Sequence, residues 1–106
     1  MTVKPDQLLD LIRRLTDPSA ERRTRAADEA TDWAEHLGPA EGKLVTGVLA
    51  TAAACEHDPA CLEAQLNAII QLGRFADSET VGVLCTIKTS EIPETLSEHL
   101  DAVLND

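Results

Sequence analysis

Aromatic side chains are nearly missing. Trp33 and Phe75 are the only two among 106 residues, and there is no tyrosine. Proteins that hold single-stranded nucleic acid stack bases on aromatic platforms, so this scarcity argues against that role. Basic residues are also few, nine against nineteen acidic ones, for a net charge of −10. Duplex nucleic acid and anionic membranes both demand a basic footprint, which this chain lacks. No run of eighteen apolar residues occurs, so no segment reads as a membrane span. Residues 1–6 (Met-Thr-Val-Lys-Pro-Asp) lack the apolar core of a signal peptide. The cysteines number three, Cys55, Cys61 and Cys85. An odd count without a signal peptide points to reduced thiols and a cytoplasmic protein.

What is present is helical spacing. Prolines stand at positions 5, 18, 39, 59 and 93, each where a helix can begin without losing a hydrogen bond. Asp17 and Asp58 precede two of them and can serve as N-caps. Ser90 or Glu91 can do the same before Pro93, and Asp77 or Ser78 before Glu79. Leu8, Leu11, Ile12 and Leu15 predict a helix over about 5–16. Ala20, Ala27, Ala30, Ala34 and Leu37 predict one over about 18–37, stopped by Gly38-Pro39. Val45, Val48, Leu49 and Ala52 mark the apolar side of a third, about 40–55. Leu62, Leu66, Ile69 and Ile70 mark a fourth, about 59–74. Leu96, Leu100, Val103 and Leu104 mark a last one, about 92–105. The segment 80–87 is β-branched and reads locally as a strand. It has no partner strand, so a short helix over about 79–88 is expected. The expectation is a single all-α domain over residues 1–106, with about six helices in three stacked antiparallel pairs.

A repeat supports the pairing. Asp17-Pro18 and Asp58-Pro59 lie 41 residues apart, each joining a leucine- or valine-rich helix to one with several alanines. A degenerate third copy can pass through residues 90–93. Such a unit cannot bury its apolar face alone, so neighbours stack. The first copy reads Leu8, Leu11, Ile12, Leu15, then Asp17-Pro18, Arg23 or Arg25, and Ala26, Ala27, Ala30. The second keeps Asp58, Pro59, Leu62, Ala68, Leu72 and Gly73 but has no arginine in the matching place. This pattern resembles the HEAT-like repeat family of α-solenoids. In size, charge and layout the chain also resembles short acidic actinobacterial proteins of this class, proposed as immunity proteins of polymorphic toxin systems. The resemblance implies a small helical protein that binds and blocks a toxin domain. It leaves open a scaffold or adaptor without inhibitory role.

Chemistry is hard to place. Cys55, His57, Cys61 and Cys85 supply three thiols and an imidazole, the donor types of a zinc or redox site. Their spacing matches no common zinc pattern, and packing as small hydrophobes accounts for the thiols. His36 and His99 are isolated and expected to face solvent. There is no phosphate-binding glycine loop and no nucleophile elbow. The reading is therefore no enzyme, no cofactor and no bound metal.

Charge layout is more telling. Residues 1–43 carry a net −2, and residues 44–106 a net −8. Asp28, Asp32 and Glu35 repeat at helical spacing, away from the alanine side, and Glu94, Glu98 and Asp101 do the same on the last helix. If second helices of each pair lie side by side, these stripes merge, with Glu63 and Asn67 between them. Such a surface suits a basic protein partner such as a nuclease toxin domain. The cluster Arg13, Arg14, Arg22, Arg23 and Arg25 has acidic neighbours and is expected to pair mostly within the chain. Trp33 is expected at the edge of the core.

Overall fold

The helix starts follow from the caps. Lys4 precedes Pro5, and its backbone N–H donates to Gln7 Oε1 at 3.1 Å. Gly38 precedes Pro39, while Asp58 precedes Pro59 and accepts from the Cys61 backbone N–H at 2.9 Å. Asp77 accepts from the Thr80 N–H, also at 2.9 Å. In this computed structural model, residues 3–87 and 94–104 are described. They form six α-helices and no strand: α1 (Pro5–Leu15), α2 (Ala20–Trp33), α3 (Pro39–Cys55), α4 (Pro59–Gln71), α5 (Ser78–Leu84) and α6 (Glu94–Leu104). Short 3₁₀ turns follow α2 at Ala34–His36 and α4 at Gly73–Phe75.

The segment 80–87 is helix and turn rather than strand. The buried side chains of Thr80 and Leu84, one helical turn apart, tie it to the interior. Tertiary packing thus overrides β-propensity there. The second helix is shorter than its alanine spacing predicts, because the chain tightens into 3₁₀ at Ala34. The first Asp-Pro pair also departs from expectation. Pro18 lies outside α2, and Ser19 is its N-cap, accepting from the Arg22 N–H. Asp17 instead accepts from the Ser19 N–H at 2.8 Å, an Asx turn that aims the chain into the helix. The expected caps at Ser90 or Glu91, the start at Pro93 and the third copy of the repeat lie outside the described residues. So do the side chains of His99 and Val103.

The helices pack as three consecutive pairs, α1 with α2, α3 with α4, and α5 with α6. Between pairs, α1 meets α3 and α3 meets α5, while α2 meets α4 and α4 meets α6. Two layers result, α1–α3–α5 and α2–α4–α6. The shortest dimension of the molecule, 19 Å, is about two helix diameters. Small residues make this thin packing workable. Ala26, Ala27 and Ala30 of α2 and Ala64 and Ala68 of α4 are buried where those two helices meet other elements. Leucine fills the remaining space, with Leu11, Leu15, Leu49, Leu66, Leu72, Leu84, Leu96 and Leu100 all buried. Trp33 and Phe75 sit half-buried against this core, as expected for Trp33.

On α3 the buried side is turned from the expected one. Val45 and Leu49 are buried, but Val48 and Ala52 are only half-buried. Gly42, Thr46, Ala50 and Ala53 are buried in their stead. Thr46 satisfies its hydroxyl by donating to the Gly42 carbonyl at 2.7 Å. Gly42 is needed for close approach: a Cβ there would overlap the ring of Phe75.

Candidate partner interface

The acidic stripes fall on one layer. Asp28 and Asp32 project from α2, Glu35 from the following turn, Glu63 and Asn67 from α4, and Glu94, Glu98 and Asp101 from α6. All eight are exposed. Because α4 packs between α2 and α6, Glu63 and Asn67 occupy the middle of the face and Glu35 its end. Among the described residues Asp28, Asp32, Glu35, Glu63, Glu94 and Glu98 make no ion pair. Their charge is therefore projected to solvent.

Most of the clustered arginines pair within the chain, while among the described residues Arg13 makes no ion pair. Arg14 bridges Asp10, at 2.9 Å, and Glu29 of α2. Arg25 pairs with Glu21 and Arg22 with Asp17. These are the local pairings that the sequence suggests. Arg23 does something spacing did not show. Its Nε and Nη2 donate to the two oxygens of Glu56 at 2.8 and 2.9 Å. Its Nη1 donates to the carbonyls of Asp17 and Pro18 at 2.8 and 2.9 Å. One guanidinium thus ties the α1–α2 turn to the α3–α4 turn. Glu56 also accepts from the Gln65 amide at 3.0 Å and the Asp58 N–H at 3.1 Å. Burial pushes the Glu56 carboxyl up, but the hydrogen bonds, led by Arg23, outweigh it and hold the pKa down at about 2. The Arg23 pKa is raised by the same contact.

The thiols do not converge. Cys61 is buried on α4, where desolvation pushes its pKa up. Cys55 and Cys85 are exposed, which corrects the expectation that all three pack as buried hydrophobes. Among the described residues, no group of three or more histidine, cysteine or acidic side chains is arranged to hold a metal. His36 is exposed as expected. No described helix is long and apolar enough to cross a membrane.

A second surface was not anticipated. On the opposite layer a groove of about 1160 Å³ runs along α3. Leu44, Gly47, Val48, Thr51, Ala52 and Cys55 line its length, and Leu15 and Pro18 line the α1 side. Leu44 is 50% exposed, one of two large apolar residues so placed among the described residues. The signal was available in the sequence, since residues 44–55 carry no charged side chain. This uncharged stretch has no polar stripe to mark its outer side, so the groove-lining residues Val48 and Ala52 read as core.

Comparison with protein-family models, curated proteins and solved structures finds no match to this chain.

Proposed function

We propose that this chain is a protein-binding module, an immunity protein of the HEAT-like class that occludes a basic toxin domain. The observation carrying this reading is the shared exposure of Asp28, Asp32, Glu35, Glu63, Asn67, Glu94, Glu98 and Asp101 on the α2–α4–α6 layer. A predominantly acidic face raises the rate of encounter with an oppositely charged partner and makes that rate fall with salt. Rigid stacked helices add shape to the charge, so a basic cleft would be covered as well as neutralised. Three pairs in two layers support the repeat-family likeness. The protein acts without catalysis or cofactor in this reading, and works in the cytoplasm where a toxin would do harm.

Co-purification with the product of the adjacent gene tests the pairing, and a harmless product that does not bind removes the immunity role. Reversal of Glu94, Glu98 and Asp101 to lysine tests the face. The triple variant should bind more weakly, with a flatter salt dependence and unchanged helical circular dichroism. Unchanged affinity would place the interface elsewhere. The same stacked pairs also suit an adaptor with no inhibitory role. A partner that binds through the acidic face yet keeps its activity in the complex would favour the adaptor.

A further inference from the structure

We propose that the α3 groove is a contact between two copies of this chain, packed antiparallel about a two-fold axis. The outer side of α3 is uncharged for three helical turns in a protein of net charge −10. Its middle is built from Gly47, Val48 and Thr51, small enough for two helix backbones to approach closely. Leu44 stands half-exposed near one end, and Cys55 lies exposed at the other.

The charges at the two ends choose the occupant. Lys43 lines the groove at the N-terminal end of α3, and Asp17, Glu56 and Asp58 line it together with Arg23 at the C-terminal end, a set with more carboxylates than cations. A two-fold contact requires a surface that complements itself. This one does so when the second copy runs in reverse, because each Lys43 then meets the acidic end of the other copy. Lys43 already lies 3.4 Å from Asp77 of its own chain but remains 68% exposed. Its ammonium has three donors and can serve both carboxylates. In this register Leu44 of one copy opposes Cys55 of the second, and the axis passes between Val48 and Thr51. The acidic α2–α4–α6 layers face away from the contact on both copies. Two helix layers separate them from it, well beyond the screening length of about 8 Å at physiological salt. The large negative charge therefore does not oppose the pairing, and the proposed toxin-binding face stays open.

Analytical ultracentrifugation of the full chain over a wide concentration range tests this. The expected result is a monomer–dimer equilibrium that weakens with salt. Leu44→Glu should raise the dimer Kd at least about tenfold, with helical circular dichroism unchanged. Leu44→Cys should give a disulfide-linked dimer under mild oxidation through Cys55 of the second copy, and adding Cys55→Ser should abolish it. The Glu94, Glu98 and Asp101 reversals should leave the dimer intact, which separates this contact from the acidic face. A wild-type chain that stays monomeric at every concentration overturns the proposal, as does a dimer indifferent to Leu44→Glu. A cross-link that survives Cys55→Ser overturns the antiparallel register.

Discussion

Gly42 shows how much one missing methyl group can hold in place. It is buried on α3, and the Phe75 ring occupies the space a side chain would take. The Arg74 guanidinium lies over the ring, 4.3 Å from its centroid, and Arg74 in turn donates to the Ala34 carbonyl at 2.7 Å. Gly42→Ala gains about 1 kcal/mol of helix propensity. Overpacking against a ring fixed in this way costs about 1–3 kcal/mol, so the variant should be less stable on balance. In a Phe75→Ala background the clash is gone, and the same change should become neutral or stabilising. A double-mutant cycle in urea reads the coupling directly. Nothing in the sequence marks Gly42 as the glycine that matters, because the contact joins α3 to a turn more than thirty residues later.

At the scale of the element, caps were readable and faces only in part. Asp58 and Asp77 cap as their position before a helix predicts. Asp58→Ala should cost about 1 kcal/mol, and Asp58→Asn should restore most of it, as measured by thermal unfolding. Asp17 has the same Asp-Pro signature but makes a turn, since two more residues are used before α2 begins. The difference lies in the following residues, where Ser19 offers a competing cap. On α1, α2 and α6 alternating charge and apolar residues reveal which side faces water. The core stripe of α3 could not be read in the same way. Its residues after Lys43 are small or apolar all round, and the neighbours α1, α4 and α5 decide which of them are covered.

At the scale of the molecule, the all-helical class and the three-pair plan were legible, because apolar spacing and proline positions agree along most of the chain. The link between the first two pairs was not, because Arg23 and Glu56 are 33 residues apart. The Glu56 carboxylate is 3% exposed and follows the C-terminal end of α3, where the helix dipole disfavours negative charge. Its folded pKa of about 2 against an ordinary 4.5 means that ionised Glu56 stabilises the fold by about 3 kcal/mol. Because the folded value is the lower one, this contribution is complete above about pH 4.5 and fades as pH falls toward 2. Glu56→Gln should therefore lose about 3 kcal/mol at neutral pH, and the gap from wild type should narrow through that window. Denaturant titrations at pH 7, 5 and 3 check the trend, and a gap that does not change with pH would contradict it.

The position of α4 bears on how such a short stack unfolds. Repeat arrays tend to behave as chains of nearest-neighbour units that can lose their ends one at a time. Here α4 packs on α2, α3 and α6 at once, and seven of its thirteen residues are buried. Peeling away either terminal pair strips this helix of one packing partner and opens part of its buried side to water. Loss of either end therefore uncovers part of α4, and the three pairs are expected to unfold in one cooperative transition.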